Sequence, residues 1–453
     1  RKTSGWEAVL GAGRIDGRMH HDEQDMGSPG SPGGPESVTA GIYTQQGQLA
    51  WDIGRAAFRR TTSIYERMVP LSDSGWNEPS IRSPLGAADP PTADQGLFAG
   101  AVLQNIAPYC ETPELGLLKT LVTNNISSIP ATFDDLVDLV VTWINGINTS
   151  GLPSPLDSAV NRLRTELVTK LNDLKDDNAL SESDKERLYN ELKRELSSSC
   201  FGRRDTQWAL KQAIQQARHL IYMETPGFSI TQGIDSSDHQ VDLNQLLLNR
   251  LQAVPGLRLI ICVPKRPDYQ PAYAQWIAKE VKSRYDLLQG FPDKQVVVFH
   301  PVGFPGRPSN IEHHTVIVDD RWALTGSSAW RRRGMGFDGS TDLVFTETEL
   351  RHGKSDGISA LRRALMARRL GVSPDDQSGS RALQLHHIPS AFTMIRQMLQ
   401  AGGLGKVERL WNGREPGIVW SDPTIPEEVA NPDGQRFNSL QASVFAAFSS
   451  LPK

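Results

Sequence analysis

Apolar and polar positions follow two alternating patterns over the second half of the chain. Short apolar runs, typical of strands buried on both faces, are separated by longer segments in which apolar residues recur as on one face of a helix. The predicted strands that contain these runs cover residues 219–223, 257–263, 295–299, 312–318 and 322–324, and the helical segments cover residues 206–218, 241–252, 271–289, 356–369 and 389–400. This order predicts an α/β fold with a mixed, largely parallel sheet covered by helices on both faces.

The first half of the chain is less regular. Residues 8–10 predict a short strand that opens into a glycine-rich turn, and residues 27–35, composed of Gly, Ser and Pro, predict a surface loop. Residues 112–145 and 155–198 show helical spacing, with leucines set among Lys, Asp and Glu in the second segment. We therefore predict a helical insertion over residues 101–200, which is either a solvated appendage or a docking arm for a protein partner in a larger assembly.

Composition bears mainly on partners and compartment. The formal net charge of −4 at pH 7 gives no general attraction to nucleic acid or to an anionic membrane. The basic run Arg331-Arg332-Arg333 is either a local nucleic-acid contact or a solvated turn. Three cysteines without a CxxC pair predict neither a disulfide framework nor a metal site, and they favour a reducing, intracellular compartment, although a secreted protein with few cysteines has the same composition. No apolar run reaches the roughly 18–20 residues of a membrane-spanning helix, so we expect a soluble protein without cofactor or metal.

Residues 311–330 contain the segment with recognisable chemistry. It resembles the HKD motif of the phospholipase D superfamily, His-x-Lys-(x)4-Asp-(x)6-Gly-Ser-x-Asn, when the two are aligned on the turn at residues 319–320. The residues at the six motif positions, in the order His, Lys, Asp, Gly, Ser and Asn, are Glu312, His314, Asp319, Gly326, Ser327 and Ala329. The aspartate, the glycine and the serine are therefore retained, and the histidine, the lysine and the asparagine are replaced.

The resemblance implies a phospholipase-D-like fold and a defined chemistry. In the family one histidine attacks phosphorus, a second protonates the leaving group, and lysines and asparagines bind the nonbridging oxygens. Alternation along a strand places Glu312 and His314 together on the cleft face and His313 on the opposite face, packed or solvated. A carboxylate repels a phosphodiester, and Ala329 cannot bind an oxygen. We therefore expect a catalytically impaired protein that acts as a structural or binding component, with a phosphodiester or phospholipid head group as its candidate ligand.

Further positions extend the resemblance over residues 206–372. Ser340 and Asp342 stand where the family has a serine and a carboxylate that support the catalytic histidine. Together with Gly326 and Ser327, they are the residues that we expect to form a phosphate pocket.

The N-terminal edge resembles the tail of a first HKD motif. Ser4 stands where the aspartate belongs, and Gly11-Ala12 stands at the glycine pair, although an ordinary glycine turn is the alternative. On the first interpretation the first histidine and lysine precede Arg1. The chain is then an active phosphodiesterase or phospholipase D completed by that upstream motif or by a partner chain. For the second motif, the remaining alternative is a buried strand and turn of an unrelated α/β protein.

These interpretations together predict the domain organisation. We expect, in chain order, the end of an N-terminal phospholipase-D-like half with flexible loops, the helical insertion, a C-terminal phospholipase-D-like half with the degenerate motif, and a helix and loop-rich tail. Their predicted ranges are residues 1–100, 101–200, 201–375 and 376–453.

Overall fold

The protein is described here from a computed structural model. The structure describes residues 8–11, 37–38, 41–44, 49–54, 56, 98–106, 132–146, 156–176, 181–182, 184–186, 189, 203–232, 241–267, 274–303, 307–372, 380–410 and 431. The strands are β1 (Ala8–Gly11), β2 (Ser37–Val38), β3 (Gly41–Thr44), β4 (Phe98–Ile106), β5 (Arg203–Arg204), β6 (Leu220–Glu224), β7 (Arg258–Cys262), β8 (Val296–Gly303), β9 (Arg307–Pro308), β10 (Asn310–Ile311), β11 (His314–Val318), β12 (Trp322–Gly326), β13 (Ser340–Glu347) and β14 (Val407–Arg409). The α-helices are α1 (Phe133–Asn145), α2 (Leu156–Asp176), α3 (Asp205–Gln216), α4 (Leu243–Ala253), α5 (Ala274–Gln289), α6 (Arg332–Gly336), α7 (Asp356–Leu370), α8 (Ser380–His386) and α9 (Ile388–Gln400).

A large mixed sheet organises most of the described residues. Its strand order is β14-β8-β7-β6-β11-β12-β13-β4-β5, and β9 pairs with β8. β6, β7 and β8 run parallel because α4 and α5 cross over between them, whereas β11, β12 and β13 pair antiparallel. The predicted α/β fold with a mixed sheet is confirmed. Among the described strands of this sheet, β6, β7 and β8 pair in parallel, whereas β11 and β12 pair antiparallel because a short turn joins them.

The sheet is buried on both faces by helices, as the apolar runs predicted. Along β6, Leu220 and Tyr222 pack toward α7 and α9, whereas Ile221 and Met223 pack toward α3 and α4. All of these side chains are fully buried. This alternation continues across the sheet, so the two faces of β11 lie in different surroundings.

The chain divides into two compact units. The first comprises Arg1–Asn105 and Arg204–Lys453, and the second comprises Ile106–Arg203. We predicted a helical insertion that begins at residue 101, but residues 98–106 form β4, which pairs antiparallel with β13 along eight residues. Phe98 and Val102 favour a strand, whereas the Gly and Ala residues between them do not, so the local sequence predicts this strand only weakly.

Two helices are described in the second unit. α1 begins after Thr132, whose side chain accepts a hydrogen bond from the main-chain N–H of Asp135, and it buries Leu136, Val137 and Val140. α2 carries the leucines noted in the sequence, and Leu167 remains 48% exposed. The helical spacing in both segments is confirmed over these two ranges, while much of 112–198 lies outside the described residues.

Candidate functional site

The strand register brings three of the predicted site residues, His314, Gly326 and Asp342, into one row across the sheet. His314 of β11 lies opposite Gly326 of β12, and Gly326 lies opposite Asp342 of β13. Gly326 has to be a glycine in this row, because a Cβ there would lie 2.2 Å from Asp342 Oδ1 and 2.4 Å from Asp342 Cα. The glycine of the Gly-Ser pair therefore lets the Asp342 carboxylate lie over β12, between β13 and β11.

His314 is held in one orientation within this row. Its Nδ1 lies 2.6 Å from the hydroxyl of Ser328, and its ring meets the Trp330 ring edge-on at 6.3 Å between centroids. The side chain is fully buried, and its Nε2 has no hydrogen-bond partner among the described residues. Burial, with a smaller contribution from His313, lowers the pKa of His314 to about 3. The ring is consequently neutral at physiological pH, unlike the lysine that the motif has here.

Asp342 is the centre of a buried polar network. Its Oδ1 accepts the main-chain N–H of Ser328 at 3.0 Å, and its Oδ2 accepts the hydroxyl of Thr206. Asn105 donates to the hydroxyls of Ser340 and Thr206 at 2.8 and 2.9 Å. The network thus joins β4, β13 and the start of α3 to Ser328, which in turn contacts His314.

Of the four residues predicted to form a phosphate pocket, three lie in or beside this network, namely Gly326, Ser340 and Asp342. Ser327 is exposed and instead joins β12 to β13, where its hydroxyl accepts the Thr341 N–H at 3.1 Å. Ser328 takes the inward position because successive residues point to opposite sides of the chain.

The other two replaced motif positions differ in their surroundings. Glu312 lies between β10 and β11 and is partly exposed. Ala329 is buried, and a Cβ on Gly334 would come within 2.9 Å of the Ala329 Cβ. A longer side chain at position 329 would therefore have to fit beside α6.

Asp319 lies at the opposite end of β11 from His314, five residues away and thus roughly 16 Å along the strand. Both of its oxygens accept main-chain hydrogen bonds, at 2.7 to 2.8 Å, from the consecutive N–H groups of residues 218–220. Asp319 and Asp320 both adopt left-handed φ angles of 55° and 56°, and Asp320 forms a buried two-pronged ion pair with Arg362. The resemblance grouped Asp319 with the catalytic positions, but the structure places it in the hairpin turn, where it anchors β6 to β11.

A second buried cluster lies on the other face of the sheet. His313 Nε2 lies 2.8 Å from Glu224 Oε2, Arg369 donates to the same oxygen at 3.0 Å, and Tyr222 donates its hydroxyl to Glu224 Oε1. Burial alone would raise the pKa of Glu224, but Arg369 and His313 outweigh that effect and hold it well below its usual value. Burial and the charge of Glu224 raise the pKa of the Tyr222 phenol well above its ordinary value. The expectation that His313 is packed rather than functional agrees with this position.

Most of the residues that surround the motif positions in the structure could not be predicted as site residues from the sequence. Asn105 and Thr206 are 101 positions apart, and Glu224 and Arg369 are 145 positions apart. Neither pair has a spacing that a local pattern can detect. Of these residues, Glu224 was the easiest to predict from the sequence, because a carboxylate at the end of a buried apolar run needs a charged partner.

The basic run at residues 331–333 is held within the fold. Arg331 lies 3.9 Å from Glu280, Arg333 pairs with Asp338 at 2.7 Å, and Arg332 donates to the Gln232 carbonyl at 2.7 Å. Because these side chains are engaged internally, the nucleic-acid contact suggested by the sequence loses its basis.

Two further expectations concern groups outside the network. Within the described ranges, no cluster of three or more His, Cys, Asp or Glu side chains could hold a metal ion. Among the helices of the same ranges, none has the length and apolar character needed to cross a membrane.

Comparison with known proteins gives only partial matches. No family model and no curated protein matches the chain. Parts of the chain are similar in fold to solved structures. NucT from Helicobacter pylori is 16% identical with a TM-score of 0.23, over 32% of this chain and 79% of that one. Nuc from Salmonella typhimurium, described as a phospholipase D family member, is 15% identical with a TM-score of 0.22, over 32% of this chain and 76% of that one. Phosphatidylserine synthase from Haemophilus influenzae Rd KW20 is 11% identical with a TM-score of 0.25, over 53% of this chain and 59% of that one.

Proposed function

We propose that this chain is a phospholipase-D-like protein whose C-terminal half is catalytically impaired and acts as a structural or binding component. The observation that carries the proposal is the state of His314. It stands at the lysine position, is fully buried, and has its pKa lowered to about 3 by burial. Because the ring is neutral at physiological pH, this position offers no positive charge to a nonbridging phosphate oxygen.

The family assignment is supported by the use of the retained motif residues. Asp319 fixes the hairpin turn, Gly326 makes room for a carboxylate on the next strand, and Asp342 orders the loop after β12. Each of these three residues therefore has a specific structural role at a position where the family motif, or the segment after it, has the same kind of residue. A buried strand and turn of an unrelated protein would need no such set at these spacings.

The loss of turnover is supported by the charges at the replaced positions. The family reaction needs an imidazole that attacks phosphorus and cations that balance the charge developing on the phosphate oxygens. Glu312 brings a negative charge to the nucleophile position, and Ala329 brings no hydrogen-bonding side chain to the asparagine position. Both changes disfavour the approach of a phosphodiester.

The proposal is tested by assaying the full chain against bis-p-nitrophenyl phosphate, phosphatidylcholine vesicles and linear DNA. We expect product formation at the rate of the buffer alone with all three. Product formation that disappears in Glu312→Ala or His314→Ala would overturn the proposal. Circular dichroism of both variants establishes that they are folded, and Glu349→Ala, at an exposed position outside the motif and the network, is the control.

A second candidate is a working phosphodiesterase whose reactive groups come from an upstream motif or a partner chain. The observation that favours it is the network around Asp342, which fixes the strands carrying the motif positions. In the same assay this candidate predicts turnover that survives Glu312→Ala and His314→Ala but falls in Asp342→Asn. The two candidates are therefore separated by one set of variants.

A further inference from the structure

A cavity lies at the β8 side of the sheet, away from the motif row. Its volume is about 410 Å³, and its walls come from α5, the start of β8, the end of α9 and the end of β14. In the sheet order β8 is three strands from β11, which is roughly 14 Å. The cavity is therefore a separate feature from the network that contains His314.

The lining carries an excess of positive charge. Its basic side chains are Lys265, Arg284, Arg396 and Arg409, and its acidic side chain is Asp293, so four positive charges face one negative charge. The whole chain, in contrast, has a formal net charge of −4. Glu408 lies 3.7 Å from Lys265 Nζ and offsets part of this charge at one end. A concentration of cations in an acidic protein favours an anionic occupant.

Part of the cationic wall is rigid. Arg284 is 6% exposed and donates to the carbonyls of Pro264 and Lys265 at 3.0 and 2.8 Å, so its guanidinium is fixed by main-chain groups. The Arg396 guanidinium lies over the Phe392 ring, 5.8 Å from its centroid. Both arginines are thereby oriented before any ligand arrives, which lowers the entropic cost of binding.

The remaining lining is mostly apolar or aromatic, with two polar side chains, Gln289 and Gln400. The apolar and aromatic residues include Val281, Leu288 and Phe291, with Tyr285 beside them. A cavity of this size matches the lower range of small-molecule sites. Its combination of several cations with an apolar wall suits a ligand that has an anionic end and an uncharged body.

We propose that this cavity binds a small phosphorylated molecule through a di- or polyphosphate group. Planar guanidinium groups bind phosphate oxygens in pairs, and a lysine adds a point charge, so the group of cations fits multiply charged phosphate better than a single carboxylate. The uncharged body of the ligand packs against Phe291 and Leu288. This assignment is independent of the proposed function of the motif row.

Isothermal titration calorimetry of the full chain tests the proposal, with ADP and inorganic pyrophosphate as probes and citrate as a carboxylate comparison. We expect saturable binding of pyrophosphate or ADP that weakens as NaCl is added, and weaker binding of citrate. The double variant Lys265→Gln, Arg396→Gln should bind at least about tenfold more weakly, since charge-assisted hydrogen bonds are lost. Arg381→Gln, at an exposed arginine of α8 outside the cavity, is the control and should bind as the unaltered chain does.

Equal affinity of the double variant and the unaltered chain would overturn the proposal, as would the absence of saturable binding by both phosphate probes. Tighter binding of citrate than of either probe would also overturn it. Tighter binding of ADP than of pyrophosphate supports a nucleotide-like ligand, and the reverse order supports the phosphate group alone as the feature recognised. Arg284 is left unaltered because its substitution would remove the hydrogen bonds that its side chain donates to the carbonyls of Pro264 and Lys265.

Discussion

Asp319 and Gly326, which match the HKD motif in residue type, both have structural roles in the described fold. Asp319 accepts three main-chain hydrogen bonds, and Gly326 permits the close approach of Asp342. At the positions where the motif has its histidine and lysine, the chain has Glu312 and His314. We expect a substitution at Asp319 or Gly326 to lower the free energy of unfolding, because both residues have structural contacts.

Gly326→Ala tests the steric requirement in the row of His314, Gly326 and Asp342. The new methyl group would meet the Asp342 carboxylate and main chain, so we expect the free energy of unfolding to fall by about 1–3 kcal/mol or more. Urea unfolding monitored by circular dichroism measures the change.

Gly256→Ala is the matched control for that experiment. A Cβ at Gly256 meets no atom within 4 Å, so the free energy of unfolding should change by no more than about 0.5 kcal/mol. Equal stabilities of the two variants would show that the close approach of Asp342 to β12 is absent in solution.

Elements buried on both faces were the easiest to predict from the sequence. β6, β7, β8, β11 and β12 all contain short apolar runs that predicted them, and most helices between them begin and end within a few residues of the predicted bounds. β4 and β13 were missed because polar residues such as Asn105, Ser340 and Asp342 interrupt their patterns. These same polar residues form the buried network. The residues that made the two strands hard to predict are therefore part of the candidate site.

The cluster of Glu224, His313 and Arg369 joins β6, the residue before β11, and α7. Replacing Glu224 by Gln leaves Arg369 buried without its carboxylate, so we expect a loss of about 3–5 kcal/mol in the free energy of unfolding at pH 7. The Glu166→Gln variant, at an exposed ion pair of α2, should lose less than about 1 kcal/mol.

The ion pair of Glu224 and Arg369 also predicts how the free energy of unfolding depends on pH. The pKa of Glu224 is held below its unfolded value of about 4.3, so its stabilising contribution is present above that value and is lost as the pH falls through the folded pKa. The difference in stability between the unaltered chain and Glu224→Gln should therefore narrow below about pH 4. A difference that widens on acidification would contradict the ionised state of Glu224.

At the scale of the whole molecule, the second unit interrupts the first between two residues that contact each other. Asn105 Nδ2 lies 2.9 Å from Thr206 Oγ1, although 100 residues separate them in the chain. Helical spacing predicted an insertion here but could not locate its boundary, because β4 continues the main sheet beyond residue 101. The domain ranges drawn from sequence remain predictions elsewhere.

This arrangement predicts that the second unit can be removed. A chain in which residues 108–201 are replaced by a short Gly-Ser linker should keep the main sheet, because Asn105 and Thr206, which flank the deletion, contact each other. Cooperative thermal unfolding followed by circular dichroism is the measurement. A matched deletion that starts at residue 99 removes β4 and the Asn105 contacts, and it should abolish cooperative unfolding. Loss of cooperativity in both chains would show that the first unit depends on the second.

The account depends most directly on the charge of His314, which NMR can measure in the full chain. A histidine-labelled sample is titrated from pH 8 to pH 4, and the His314→Gln variant assigns the resonance. Burial lowers the pKa of His314 to about 3, so its ring should stay largely neutral over this range. A midpoint for His314 at or above 6 would place a cation at the lysine position and contradict the central claim.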